Sequence, residues 1–554
     1  MPLRFASRAS EAYDFPLTIG HLLDAALISA ADKEIVYRDQ VRMTYRELRS
    51  RIGRLASALA GLGVGQGSVV AMMDWDSHRY LEAYFAVPMM GAVLQTVNVR
   101  LPVAQIGYTL RHAEAEVIVC HRDFLSALEA ILPNLEGVRA VVVIDDGANE
   151  PASFVGAGEY EALLAASDSK FAFEDFDENA LATTFYTTGT TGDPKGVSFS
   201  HRQIVLLALA SKGPFGATRD PGFGIDDVYM PLTPMFHVHA WCMTYVATLL
   251  GVKQVYPGRY EPDMICRLRT TERVTYSHCV PTVLQMVFAA AEKAGTDLTG
   301  WTITIGGSAL THALWEDGTR RGMHIGAGYG MSETGPTLTM ARRNNRSDST
   351  MADVNEMTLA GVPIALVSLR VVDEAMADVP NDGISRGELV VRAPWLTQSY
   401  TGNPSASREL WRGGWMHTQD VATISPDGRV TICDRLKDVI KTGGEWIPSL
   451  EIEDLIASLP NVVEVAVVGI PDERWGERPI AFVVPTSAVP SLEAINAPII
   501  AAIEQGNLSR YARLDQLVVL QALPRTSVGK IDKKQLRLMR TDAHLSSNAK
   551  RDGK

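Results

Sequence analysis

At 554 residues the chain exceeds what one hydrophobic core organises, so two or more domains are expected. Its 46% hydrophobic and 21% charged residues are ordinary for a soluble globular protein, and a net charge of −12 argues against general nucleic-acid binding and against an anionic membrane surface. The five cysteines, Cys120, Cys242, Cys266, Cys279 and Cys433, are odd in number and form no C-x-x-C pair, which argues against a disulfide framework or structural zinc and fits a reducing, cytoplasmic compartment.

Along the chain, Met1 to Arg8 lacks the apolar core of a signal peptide. Thr44 to Gly63 is the clearest helix. Thr44 and Glu47 have capping-box spacing, and Tyr45, Leu48, Ile52, Leu55, Leu59 and Leu62 recur at three and four residues. Val69–Met73 reads as a buried strand, His78 to Met90 as a helix, and Gly91 to Thr96 as a returning strand. Glu116–Cys120 and Ala140–Ile144 are further short apolar runs. Helices alternating with β-rich runs predict an α/β architecture with largely parallel sheets.

Leu181–Thr187 and Val197–Phe199 read as strands joined by a loop. Ser200 and Gln203 then have capping-box spacing before an apolar helix. The stretch Tyr186 to Gly196 holds four Thr, three Gly and Lys195. Glycines allow close backbone approach, free N–H groups make a concave anion site, and Lys195 adds a positive charge, so the loop suits a polyphosphate. It is not a Walker A loop, because Gly196 follows Lys195 where a hydroxyl residue is needed.

His237 and His239, two apart on an expected strand, share a face. Without a nearby carboxylate or cysteine they read as packing or pocket residues rather than metal ligands. Trp241 falls beside them. Ala240 to Val252 is too short to span a bilayer and reads as a buried helix. Ile303–Ile305 leads into Gly306-Gly307-Ser308-Ala309. Ile325 leads into Gly326 to Gly335, where Tyr329, Ser332 and Glu333 offer an aromatic face, a hydroxyl and a carboxylate suited to Mg²⁺. Asp420 is read as following a turn at a strand end, where it can bind ribose hydroxyls. Pro426 to Arg429 is a hairpin turn. Asp434 to Asp438 is a charged break. Pro448 opens a helix at its first position, and Val462–Gly469 and Ile480–Pro485 are strands of a small α+β unit. Gly529-Lys530 presents an amine on an exposed turn. Domains are expected at 1–436 and 437–540, with a disordered tail over 541–554.

Seven ordered segments, Tyr186–Gly196, Phe236-His237, Gly306-Gly307, Gly328–Thr334, Thr418–Asp420, Asp434–Lys437 and Gly529–Asp532, identify the chain as resembling the adenylate-forming acyl-CoA synthetase superfamily. Met235 to Cys242 and Gly443-Gly-Glu-Trp-Ile resemble bacterial medium- and long-chain fatty acyl-CoA synthetases and methylmercaptopropionate–CoA ligases. The resemblance implies a large N-terminal domain of α/β subdomains and a small hinged C-terminal domain, with ATP, Mg²⁺ and coenzyme A. It implies that Thr187, Thr188, Gly189, Thr190, Thr191 and Lys195 hold phosphates, and that Tyr329 lies on adenine with Gly307, Ser308 and Ala309. It places Ser332 at the α-phosphate, Glu333 on Mg²⁺, and Asp420 and Arg435 on ribose. Lys437 takes the hinge position, and Lys530, Lys441 and His237 the catalytic group. His237, Trp241 and Gly328 line the acid pocket. Gly443 and Gly444 face the site when thioester forms. Thr188, Gln419 and Ser332 depart from the commoner Ser, Gly and Thr; these replacements leave the site with its polar groups. The absence of Asp or Glu from Phe236 to Tyr245 disfavours an amino-acid-adenylating enzyme. Retained Lys530 and Glu333 disfavour a non-catalytic nucleotide sensor. The resemblance implies an acid–CoA ligase, with fatty acids ahead of methylthio-propionate and aryl acids, and a homodimer.

Overall fold

This computed structural model describes residues 3–148, 154, 156–187, 193–217, 222–343, 350–443, 445–486, 488–506, 508–525 and 531–539. They form four sheets. A seven-stranded sheet runs in the order Gly158–Glu159, Ala140–Ile144, Val117–His121, Val69–Met73, Val93–Thr96, Leu181–Thr187, Lys195–Ser200, parallel except for the last pair. Every residue of Val117–His121 is buried. A continuous apolar run rather than alternation is what a parallel strand covered by helices on both faces requires. A nine-stranded sheet has a parallel centre: Glu34–Tyr37, Lys253–Tyr256, Val228–Pro231, Tyr276–Cys279, Thr302–Ile305 and His324–Tyr329.

One cluster of buried side chains joins the two sheets. The helix Tyr45–Gly61 contributes Leu48, Ile52, Leu55 and Leu59 to it. Its N-terminus is closed as the sequence predicts. Glu47 N–H donates to Thr44 Oγ1 at 3.2 Å, and Thr44 N–H donates to Glu47 Oε2 at 2.6 Å. Such a cap contributes about 1 kcal/mol, whereas each buried Leu or Ile contributes roughly 1.5–3 kcal/mol, so packing dominates this helix. The Ser200–Gln203 box likewise closes the helix His201–Ala217.

A four-stranded antiparallel sheet, Ser368–Val372, Gly387–Arg392, Met416–Ile424 and Val430–Arg435, ends just before a five-stranded sheet that starts at Ile440–Thr442. The strands Val462–Asp472 and Gly476–Pro485 form a long hairpin in this last sheet, longer at both facing ends than the sequence reading.

Four further readings are corrected. Asp420 lies inside the strand Met416–Ile424, not at a turn, and a register shift follows at Val421/Ala422. The charged stretch at Asp434-Arg435 does not break the strand Val430–Arg435, because the two charges find partners described below. Pro448 is the N-cap of the helix Ser449–Ala457 rather than its first residue. Ala240 to Val252 is not one helix. Val238 to Cys242 all have positive φ, between 48° and 60°, and a right-handed helix begins only at Met243 and ends at Leu250.

Candidate active site

In parallel α/β sheets, ligands collect where the loops leave the carboxyl ends of the strands. Here the loops after Val228–Pro231, Thr302–Ile305 and His324–Tyr329, and the end of Leu181–Thr187, open into one cavity of about 1180 Å³. Most of the expected site residues meet there. Thr187 and Lys195 line it from the seven-stranded sheet. Gly307, Ser308 and Ala309 line it from one loop, and Gly328, Tyr329, Ser332 and Glu333 from the next. Asp420 and Arg435 close it from the four-stranded sheet, with Lys437 in the turn just after it, and His237 and Trp241 line its other end. Thr188, Gly189, Thr190, Thr191, Gly444, Lys530 and the tail 541–554 lie outside the described residues.

Local chemistry explains the shape. Gly307 sits at φ +76°, a left-handed position that favours glycine. A Cβ on Gly306 would lie 2.9 Å from the Trp241 ring, so the bare backbone there makes room for the indole. Trp241 also packs on His278, ring centroids 5.0 Å apart. His278 is buried between Tyr229, whose hydroxyl is 2.8 Å from Nε2, and Thr233, 3.2 Å from Nδ1; burial pulls its pKa down to about 3, so the imidazole is neutral.

The end of the cavity away from Trp241 is organised around two buried carboxylates, Asp420 and Glu333. Tyr329 donates to Asp420 Oδ2 at 2.6 Å, and Arg435 Nε pairs with Asp420 Oδ1 at 2.8 Å. The Asp420 charge holds Arg435 above its ordinary pKa, and burial, with Asp420, pushes the Tyr329 phenol well up. These two donors orient the carboxylate oxygens of Asp420 toward the cavity. Glu333 is 7% exposed, and Tyr400 donates to its Oε1 at 2.6 Å. The Tyr400 ring also carries Lys195, whose Nζ is 4.7 Å from the ring centroid. Tyr400 thus links the expected metal ligand to the expected phosphate ligand. Sequence reasoning missed it, because a lone Tyr between Ser399 and Thr401 carries no motif. A single oriented carboxylate on the cavity wall fits Mg²⁺, which takes one or two protein carboxylates and completes its shell with water and phosphate oxygens.

The two histidines do not share a strand face. His237 lines the cavity, while His239 is buried edge-on against Tyr84 and Phe185. The cause is the left-handed turn Val238–Cys242, five consecutive non-glycine residues. At roughly 1–2 kcal/mol per residue this turn costs on the order of 5–10 kcal/mol, which surrounding contacts must offset.

The C-terminal part of the chain supplies the remaining wall through Glu453, on the helix Ser449–Ala457, and through Arg525, Ile531 and Lys533. Lys533 Nζ pairs with Glu453 Oε1 at 2.7 Å and donates to Ser449 Oγ at 2.6 Å. Ser449 in turn donates through Oγ to Asp434 at 2.6 Å, and Arg386 pairs with Glu451 at 2.6 Å. Arg525, Ile531 and Lys533, on either side of Lys530 in sequence, therefore face the cavity. Lys441 and Gly443 are not in its wall. Lys441 extends over the Trp446 ring at 5.0 Å, and Gly443 packs on Tyr511.

Among the described residues no group of three or more His, Cys, Asp or Glu side chains is arranged to hold a metal, and no helix is long and apolar enough to cross a membrane. The described cysteines are all buried and unpaired.

A family model described as AMP-binding enzyme matches residues 24–401, and one described as AMP-binding enzyme C-terminal domain matches residues 451–530. The chain is 40% identical over 534 residues to a long-chain-fatty-acid–CoA ligase of Thermus thermophilus, covering 95% of this chain and 96% of that one. It is 35% identical to a 3-methylmercaptopropionyl-CoA ligase of Ruegeria lacuscaerulensis, over 94% and 97% of the two chains. Among solved structures, ATP-bound MatB from Rhodopseudomonas palustris superposes with a TM-score of 0.81 at 25% identity, over 96% of this chain and all of that one.

Proposed function

The chain belongs to the AMP-binding enzyme family and is an ATP-dependent, AMP-forming acid–CoA ligase, and we propose that its acid is a medium- or long-chain fatty acid. The observation that carries this reading is the pocket end of the cavity, where Val238, Trp241 and Met243 offer apolar surface and Phe236 to Tyr245 contains no carboxylate to hold an ammonium group.

Both reactants are anionic, so neutralising charge is the main task of the site. The acid's carboxylate oxygen bonds to the α-phosphorus of ATP, the bond from that phosphorus to the bridging oxygen breaks, and pyrophosphate leaves with the electron pair. Lys195 and Thr187, with Thr188 to Thr191, hold the β- and γ-phosphates, and Ser332 the α-phosphate. Tyr329 takes the adenine on its face, and Asp420 and Arg435 orient the ribose. Glu333 would hold Mg²⁺, which supplies charge neutralisation on the phosphates. Lys530 bridges carboxylate and α-phosphate as a compact cation. The C-terminal domain, 437–540, then turns about Lys437, which exchanges Lys530 for Lys441 and the Gly443-Gly444 turn. The CoA thiol, losing its proton, attacks the acyl carbon, and AMP leaves. His237 stands at the acid end of the cavity. The orientation described above, with Arg525 and Ile531 toward the cavity, supports an adenylating arrangement.

A second reading, a short acid such as methylthio-propionate, is favoured by Trp241 lying over Gly306 and His278, which shortens the pocket. Pyrophosphate release with ATP, Mg²⁺ and CoA against acids from propionate and methylthio-propionate through butyrate to stearate, and benzoate and cinnamate, separates them. A CoA-dependent optimum among the longer alkanoates supports the fatty-acid reading; an optimum at methylthio-propionate or an aryl acid replaces it. A homodimer and a cytoplasmic location belong to the same proposal, and light scattering and cell fractionation test them.

A further inference from the structure

Asp76 is a buried carboxylate outside the cavity wall, 4% exposed, just after the strand Val69–Met73. Its side chain crosses from the seven-stranded to the nine-stranded sheet. It accepts the Met235 N–H at 2.8 Å and the Tyr260 O–H at 2.6 Å. Its own backbone carbonyl accepts the Gly258 N–H at 2.9 Å, which fixes it against the same sheet.

Three more side chains hold the same short stretch and its neighbours. Tyr84 donates to the Met235 carbonyl, and Thr96 donates to the Phe236 carbonyl at 2.9 Å. The Arg100 guanidinium stacks on Phe236 at 5.8 Å and on Tyr260 at 5.7 Å. Met235 and Phe236 are therefore immobilised by side chains from other elements. Two residues later the left-handed turn Val238–Cys242 begins, and it carries Trp241 onto Gly306. A strained turn keeps its conformation only where its surroundings over-determine it.

We infer that Asp76 is a positioning residue for acid selectivity: by holding the Met235 amide it fixes the left-handed turn, and so the depth at which Trp241 closes the acyl pocket. This rests on the reading that the space beside Trp241 takes the acid's tail. No group of Asp76 reaches the reacting atoms; it acts through the turn.

The test compares wild type, Asp76→Asn, Tyr260→Phe, Trp241→Ala and the Asp76→Asn/Trp241→Ala double variant by pyrophosphate release across the acid panel. Asp76→Asn keeps the size of the side chain but can present only one acceptor oxygen to two donors. The expected result is a shifted chain-length optimum and a KM for the wild-type optimum acid raised about fivefold or more, with KM for ATP within about twofold. Tyr260→Phe shifts the optimum the same way by less, and it decides the matter if Asp76→Asn does not fold. The double variant should match Trp241→Ala, because both changes act on one element. A uniform loss across all acids, or an unchanged profile, overturns the inference while leaving the pocket reading intact. If Trp241→Ala itself leaves the profile unchanged, the pocket reading fails and this inference with it.

Discussion

Replacing Tyr400 by Phe removes one atom from the link between Glu333 and Lys195. The phenol donates to Glu333 Oε1 at 2.6 Å, and Glu333 is only 7% exposed, so water cannot fully replace the lost bond. A hydrogen bond to a charged group contributes about 1.5–3 kcal/mol, roughly ten- to hundredfold in an equilibrium constant. The ring stays, so the contact with Lys195 at 4.7 Å is kept, and the effect isolates the carboxylate. Freed of its donor, Glu333 loses the orientation that makes it a preorganised ligand. Steady-state pyrophosphate release should show KM for ATP and the Mg²⁺ concentration for half-maximal rate both rising about tenfold, with KM for the acid within about twofold. Thioester formation from preformed acyl-adenylate and CoA should be near wild type. Unchanged ATP and Mg²⁺ dependence would refute the assignment of Glu333 to the metal and of Tyr400 to its orientation.

Three other outcomes follow from the same geometry. Trp241→Ala opens the space over Gly306 and against His278 and should move the acid optimum to longer chains; an unaltered optimum removes Trp241 from the selectivity argument. Lys530→Ala should abolish adenylation yet still convert preformed acyl-adenylate and CoA to thioester, and equal loss of both half-reactions contradicts its proposed role. Burial lowers the pKa of His201 to about 4 and of His239 and His278 to about 3. Between these values and about 6.5 the unfolded chain binds more protons, so their stability contribution is complete above pH 6.5 and is lost as pH falls, by up to about 1.4 kcal/mol per pH unit each. Asp76, raised to about 7 by burial, acts with the opposite sign over about pH 4–7, so these four groups together give a net slope of roughly 3 kcal/mol per unit below about pH 6. Thermal midpoints at about pH 7.5, 6.5 and 5.5 should fall accordingly, and a flat profile would show that these imidazoles are not held neutral.

Local signals made much of the fold legible. The strands Leu181–Thr187 and Ala140–Ile144 stand where composition places them, and the Thr44–Glu47 box closes its helix, because these features depend on neighbours in the chain. The glycine-flanked loops could be read as ligand-facing for the same reason, since backbone approach is written in the residues themselves. Other features are set by contacts between distant segments. The Asp420 carboxylate meets Tyr329 from another sheet, 91 residues away, and Glu333 meets Tyr400, 67 residues away. The left-handed turn at Val238–Cys242 contradicts the local preference of all five residues, since neither β-branched Val238 nor bulky Trp241 favours positive φ. Tertiary contacts hold that turn instead: His239 sits edge-on against Tyr84 and Phe185, and Trp241 packs on His278. How the helix Ser449–Ala457 is held beside the four-stranded sheet is likewise decided by side chains that find each other in space, Asp434 with Ser449 and Arg386 with Glu451. The sequence by itself determined the elements and the chemistry they carry; tertiary structure decided how each charged or strained group is satisfied, because those partners have no fixed spacing along the chain.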